Sequence, residues 1–292
     1  MLKIKIFTFY VFLKNLICPC AIDNKHNGFK GYPENLKYKV SRIGSLPEEV
    51  PESSGLALAY ASEDSIVLYT HNDSGGEPYL FKITKQGKLL DSYKISGAVN
   101  HDWEDLAQDS LGNIYIGDFG NNFHKRKDLV IYKVPAGLDG KAEKIQFSYK
   151  NQEAFPPPKK ERNFDCEAFY WYQDSLYLFS KNWGDKNVKL YSLSDQAGSY
   201  IAAPIDSARL GSMITAADIN PDGSLFALLG YGRVYVYGVG EEGIDFSVPA
   251  LCQRFPRSKQ AEGLVFINKT DFIVSNEQGQ MFLFEQKKQK EK

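Results

Sequence analysis

The sequence predicts an all-β fold: a five-bladed β-propeller with four strands per blade, closed by an N-terminal strand that completes the last blade. Three observations carry this. Aromatic content is 14%, with 18 Tyr and 19 Phe, a composition that favours stacked sheets over helices. Short runs with period-2 alternation are punctuated by turn residues along the whole chain. One hairpin layout recurs five times at spacings of about 46–63 residues. A β-sandwich would also alternate, but it would not repeat five matching hairpins.

The clearest copy is Asp102–Asn122, DWEDLAQDSLGNIYIGDFGNN. Glu104 opens its first strand, Ser110-Leu111-Gly112-Asn113 makes the turn, and the second strand ends at Asp118. With the turn midway, Glu104 and Asp118 are expected to face each other at the open end. The same reading pairs Glu167 with Lys181, Thr215 with Leu229 and Glu262 with Asn276. The first copy is looser and sets Ser54 against Asn72.

In chain order, residues 1–21 read as a signal or lipoprotein leader. Lys3 and Lys5 precede the apolar run Ile6–Leu13, and Cys18 and Cys20 follow. The run is too short to span a bilayer and suits an export signal, interrupted by Lys14. Residues 22–36 read as a polar linker, 37–287 as the propeller and 288–292 as a charged tail. Tyr38–Leu46 alternates but has no hairpin partner, so it is expected to supply the missing fourth strand of the last blade and cover its edge. Blade 1 is read at Gly55–Tyr60, Ile66–His71, Tyr79–Thr84 and Leu89–Ser96. Blade 2 follows at Glu104–Asp109, Asn113–Asp118, Leu129–Val134 and Lys144–Tyr149. Blade 3 takes Glu167–Tyr172, Leu176–Lys181, Val188–Leu193 and one strand near Ser199–Ile205. Blade 4 takes Thr215–Ile219, Leu225–Leu229, Arg233–Tyr237 and Phe246–Gln253, and blade 5 Glu262–Ile267, Phe272–Asn276 and Met281–Gln286. Cys166 and Cys252 fall on different blades, too far apart to bridge, and are expected to be buried free thiols.

Formal net charge is −1, and no Lys/Arg stripe repeats along any element, which argues against a nucleic-acid polymer as partner. The chemistry is expected at the ring of residues that open the inner strands: Ser54, Glu104, Glu167, Thr215 and Glu262. Inner strands line a propeller's channel, so all five should approach one axis at one level. Two carboxylates about 6 Å apart repel by roughly 3 kcal/mol at an effective dielectric of 20. A cation, or protonation of one or more carboxylates, must offset three of them. Three Glu with Ser and Thr hydroxyls and no His or Cys form a hard-oxygen set that suits Ca2+ better than Zn2+. The alternative is a channel plugged by water, with each Glu bonded to nearby backbone N–H groups.

The loops on the same face carry His71, Asn72, Asp73, Asp118, Asn121, Asn122, Lys125, Arg126, Lys159, Lys160, Arg162, Lys181, Trp183, Tyr231, Arg257, Lys259, Asn276 and Glu277. An acidic centre with a basic and amide rim suits an anionic group bridged to a metal, such as a phosphate. His71, Asn72, Asn121, Asn122, Arg126, Lys181, Tyr231, Asn276 and Glu277 are the expected substrate contacts. Asp118 and Asp73 are the expected general bases.

The ring order Ser, Glu, Glu, Thr, Glu resembles that of the soluble calcium-activated nucleotidases (apyrases). Ser54-Gly55-Leu56, Trp103-Glu104-Asp105, Cys166-Glu167-Ala168 and Glu262-Gly263-Leu264 carry the match, with Thr215 where that family has Ser. The resemblance implies a five-bladed propeller with a central Ca2+ held by these five positions. The segments WEDLA, GDFGNN, CEAF, PDGSLFALL and EGLVF also resemble a group of uncharacterised bacterial secreted propellers, called esterase-like or phytase-like. Together these readings imply a Ca2+-dependent hydrolase that is secreted, periplasmic or on the cell surface, monomeric, and tethered to the membrane if its N-terminal Cys is lipidated. Its substrate would be a small anion bearing phosphate. The alternative is a non-catalytic propeller that binds a surface ligand and keeps the ion as a structural pin.

Overall fold

Strand β1 (Tyr38–Ser45) pairs antiparallel with the last strand of the chain, Tyr38 facing Gln286 and Ser45 facing Gln280. The two ends of the propeller are thereby joined in one blade, as the lone N-terminal strand predicted. The computed structural model describes residues 36–181, 183–185, 187–240, 243–246, 249–256 and 258–287. The expected leader, most of the linker, Arg257 and the charged tail lie outside the described residues. No helix among them is long and apolar enough to cross a membrane.

Blade 1 contains β2 (Ser53–Ala61), β3 (Ile66–Asn72), β4 (Tyr79–Thr84) and β5 (Leu89–Lys94). Blade 2 contains β6 (Trp103–Gln108), β7 (Ile114–Asp118), β8 (Leu129–Val134) and β9 (Glu143–Tyr149). Blade 3 contains β10 (Cys166–Tyr172), β11 (Ser175–Ser180) and β12 (Val188–Ser194). Two short strands then follow, β13 (Gly198–Ala202) and β14 (Pro204–Ala208). Blade 4 contains β15 (Ile214–Ile219), β16 (Leu225–Gly230), β17 (Arg233–Gly240), a two-residue β18 (Gly243–Ile244) and β19 (Leu251–Arg254). Blade 5 contains β20 (Ala261–Phe266), β21 (Phe272–Asn276) and β22 (Gln280–Gln286), with β1 outermost.

Two expectations are corrected at the outer edges. The single strand expected near Ser199–Ile205 is two strands. β14 completes blade 3 against β12, whereas β13 crosses to blade 2 and pairs in parallel with β9, Gly198 facing Ile145 and Ala202 facing Tyr149. Pro204 has no N–H to donate and opens the second piece. β13 in turn covers what would be the exposed edge of blade 2. In blade 4 the outer edge of β17 is covered by two short strands, β18 and β19, and Phe246 lies outside both, fully buried. Cys166 is a buried free thiol as expected, but Cys252 is disulfide-bonded.

Each junction between neighbouring blades has its own apolar cluster, and there are five of them. The aromatic side chains supply much of the filling. Between blades 3 and 4, Phe226 stacks on Tyr237 with ring centroids 4.7 Å apart and also meets Tyr170. Such side chains bury large areas and gain further from ring–ring geometry. A ring of blades packed on both neighbours, with its ends joined, exposes few strand edges.

The inner strands are also tied by buried carboxylates. Asp105 accepts backbone N–H bonds from Leu106 (2.9 Å), Phe169 (3.2 Å) and Ala217 (3.1 Å), joining β6, β10 and β15 across the channel. Asp218 accepts the N–H of Phe266 at 2.7 Å, joining β15 to β20.

Candidate functional site

All five inner strands break their ladder at the same place. Ser53 faces Asn72 and the next pair is Leu56 with Thr70. Trp103 faces Asp118, then Leu106 faces Ile116. Cys166 faces Ser180 before Ala168 faces Phe179, Ile214 faces Gly230 before Ala216 faces Leu229, and Ala261 faces Asn276 before Gly263 faces Ser275. Blades 1 and 2 skip Ser54-Gly55 and Glu104-Asp105 against one residue opposite, and blades 3–5 skip Glu167, Thr215 and Glu262 alone. The cross-strand pairs expected from turn spacing are therefore off by one, because each ring residue sits in a β-bulge. A bulge re-aims a side chain out of strict alternation, which lets the consecutive Glu104 and Asp105 both be buried. None of the five is more than 6% exposed.

Chemically the ring divides in two. On the side of blades 3–5 its members already have partners. Lys181 Nζ lies 2.8 Å from Glu167 Oε1. The hydroxyl of Tyr231 donates to Glu262 Oε1 at 2.8 Å, and Thr215 Oγ1 donates to the carbonyl of Ala261 at 2.6 Å. The Lys181 ammonium also sits 5.8 Å from the Tyr231 ring centroid and 5.6 Å from that of Trp183. Burial pulls against its charge, but Glu167 foremost, with Tyr231, Glu262 and Asp165, holds its pKa well above the ordinary lysine value. Expected on the rim, Lys181 is instead a buried cation inside the ring. Burial pushes Glu262 up to about 8 even so.

The side of blades 1 and 2 is different. Among the described residues, the Glu104 carboxylate has no hydrogen-bond or ion-pair partner, and neither does the Ser54 hydroxyl. Asp73, after β3, and Asp102, before β6, join Glu104 so that one oxygen from each lies within 4.8 Å of the others. Burial, then Glu167, Asp73 and Asp102, drive the Glu104 pKa well above the carboxylate range. Burial and then Asp73 push Asp102 up to about 7, and burial raises Asp73. This is the response of carboxylates that lack a counterion.

Local hydrogen bonds hold the trio in place. Asn100 Nδ2 donates to the carbonyls of Asn72 (3.1 Å) and Asp73 (2.8 Å), while its Oδ1 accepts the Trp103 N–H at 3.2 Å. Asp118, fully buried, accepts the Asp102 N–H at 3.1 Å and pairs with Arg126 at 2.9 Å. Gly120 donates its N–H to the Asp102 carbonyl. A Cβ on Gly120 would lie 2.0 Å from Glu104 Oε1, so only glycine lets this loop close on the two carboxylates.

Several expected contacts prove to be built into this frame. Asn121 Oδ1 accepts the N–H groups of Lys125 and Arg126, and its own N–H donates to Asp165. Asn276 Nδ2 donates to the Ser258 carbonyl. Asn72 Nδ2 donates to the Glu49 carbonyl. His71 is fully buried edge-on to Trp103, its Nδ1 donating to the Asn72 carbonyl, and burial pulls its pKa to about 4. Asn122 is exposed. Glu277 is half-buried and accepts from Gln260 at 2.7 Å; burial and then Asp73 raise it to about 7. Asp102 and Asp165 were not anticipated. Their signal was an Asp-x-Glu repeat, Asp102-Trp103-Glu104 and Asp165-Cys166-Glu167.

The donors at the open side are all oxygens, two of them buried and without partners. They fit a hard divalent ion such as Ca2+ and lack the nitrogen or sulfur that zinc prefers. The five-residue set as a whole does not fit, since Glu167, Thr215 and Glu262 are occupied.

No protein-family model and no curated protein sequence matches the chain. Solved structures do. The PQQ-bound aldose sugar dehydrogenase of Streptomyces coelicolor aligns over 87% of this chain and 99% of its own, with TM-score 0.52 and 10% identity. A gluconolactonase of Xanthomonas campestris aligns over 86% of this chain and 90% of its own, with TM-score 0.50 and 10% identity. At such identity the likeness concerns the propeller fold.

Proposed function

We propose that the chain is a Ca2+-dependent hydrolase, working outside the cytoplasm on a phosphate-bearing, nucleotide- or phytate-like substrate at the acidic mouth of the channel. The observation that carries this is the convergence of Asp73, Asp102 and Glu104, with the free hydroxyl of Ser54 alongside. Charges about 5 Å apart repel by roughly 3 kcal/mol per pair at a dielectric of 20, and no ion pair reaches these three among the described residues. They are the residues that would hold the ion, and a bound Ca2+ supplies a Lewis acid for a phosphoryl oxygen.

The chain's own groups do the rest. Lys181, held by Glu167 within blade 3, adds a buried positive charge beside the acidic mouth, to which an anion would be drawn. Asp73, half-buried at that mouth, is on this reading a ligand of the ion rather than the free general base expected from the sequence. Asp118 and Arg126 position the loop that carries Asp102. The two solved propellers named above are a sugar dehydrogenase and a gluconolactonase, both enzymes, and the disulfide at Cys252 suits an oxidising compartment.

The test is phosphate release from nucleoside di- and triphosphates and from phytate, with Ca2+ and with chelator. Release that needs Ca2+ and is lost in Glu104→Gln is expected. Metal-loaded protein that turns over nothing in this panel would remove the reading. One observation favours the non-catalytic alternative: Lys181 already neutralises half of the ring. On that reading chelation lowers Tm by native-state linkage and no substrate is turned over.

A further inference from the structure

The acidic ring occupies the beginnings of the inner strands. The far ends of the same five strands enclose a cavity of about 360 Å³, walled by Leu58, Leu106, Trp171, Tyr172, Asp218 and Phe266 among others. Asp105 lies between the two, its hydrogen bonds from the Phe169 and Ala217 N–H groups crossing the channel. The cavity is thus a separate chamber, reached from the opposite face. Its size is that of a small-molecule site.

The lining has one sign of charge. It includes Asp109, Asp218 and Asp222 but no Lys, Arg or His. Asp109 is engaged by Asn113 and Tyr115, and Asp222 pairs at the rim with Lys269. Asp218 has only backbone N–H donors and no cationic partner among the described residues. Burial pushes its carboxyl up to about 7, with no nearby cation to counter the rise. Trp171 and Tyr172, both half-buried, add aromatic surface. A deep carboxylate beside aromatic rings is the combination that selects an ammonium group over a neutral or anionic one.

We propose that this far mouth is a second binding site, for a small organic ammonium ion, with Asp218 as its countercharge and the half-buried Trp171 and Tyr172 as its aromatic wall. The site is independent of the acidic ring and of whatever chemistry occurs there.

The experiment is calorimetric titration of the full chain with choline and with 3,3-dimethylbutanol, its neutral isostere. Choline is expected to bind one per chain, with the alcohol at least ~10-fold weaker. Asp218→Asn should weaken choline at least ~10-fold, since it removes one partner of a buried charge pair. Leu58→Trp, which enlarges a side chain at another position of the lining, should abolish choline binding and covers the case in which Asp218→Asn does not fold. Equal binding of choline and the alcohol would overturn the proposal. So would no choline binding up to roughly 10 mM, or unchanged binding in Leu58→Trp.

Discussion

Lys181 Nζ lies 2.8 Å from Glu167 Oε1, with both side chains almost wholly out of water. A lysine in the middle of a carboxylate ring changes what the ring needs. One internal cation serves Glu167 and Glu262, so the ring glutamate left without an ion pair is Glu104, which Asp73 and Asp102 join.

Removing that lysine should leave a buried, unpaired carboxylate. Lys181→Met is expected to cost about 3–5 kcal/mol in denaturant unfolding, and adding Glu167→Gln should recover most of it. Additive losses in the double variant would show that the two groups are not coupled.

Gly120 is in contact with both Asp102 and Glu104. Gly120→Ala must push Glu104 or the loop aside, at a cost of about 1–3 kcal/mol for overpacking. Because the displaced groups are the proposed ligands, Ca2+ affinity should fall as well. Unaltered affinity, measured by calorimetry, would separate this loop from the ion site.

Asp105 serves three blades at once. Asp105→Ala leaves the N–H groups of Phe169 and Ala217 buried without acceptors, each worth about 1–3 kcal/mol. A loss of more than about 3 kcal/mol is expected, and a smaller loss in Asp105→Asn, which keeps an acceptor oxygen. Thermal melts of the two variants check this; near-equal Tm values for wild type and Asp105→Ala would contradict it.

Asp218 makes stability depend on pH in a defined direction. Burial raises its pKa from 3.8 to about 7, so between these values the native state holds a proton that the unfolded state has lost. Stability therefore falls as pH rises through about 4 to 7, by about 1.4 kcal/mol per unit at most. Asp218→Asn removes the dependence, so it should gain on wild type between about pH 5 and pH 8 in the absence of amines. A pH-independent difference between the two would show that Asp218 does not titrate there.

Much of this architecture was legible in the sequence, and the failures share physical causes. Period-2 alternation and turn residues located nearly every strand, and the unpartnered Tyr38–Leu46 pointed to ring closure. Alternation does not reveal a bulge, because the extra residue adds one position without changing composition; hence Glu104 was set against Asp118 when Trp103 occupies that place. It also does not say which neighbour a short edge strand will join, so β13 was assigned to its sequence neighbours rather than to blade 2. Lys181 is expected from the sequence as a substrate contact on the rim opposite Glu167, but it is a buried partner of that glutamate. Its burial depends on Glu167 and Glu262 arriving from other strands. The ring positions themselves could be read because the same residue type recurred at the same point of each hairpin. Asp102 and Asp165 act in only two blades and did not stand out against that repeat.

The most direct measurement is a calorimetric Ca2+ titration of wild type, Glu104→Gln, Asp102→Asn and Glu262→Gln. The asymmetric ring predicts one Ca2+ per chain. It further predicts a loss of affinity of at least ~10-fold in Glu104→Gln and Asp102→Asn, and a change of no more than a few-fold in Glu262→Gln. Failure of wild type to bind Ca2+, or a loss in Glu262→Gln as large as that in Glu104→Gln, would contradict it.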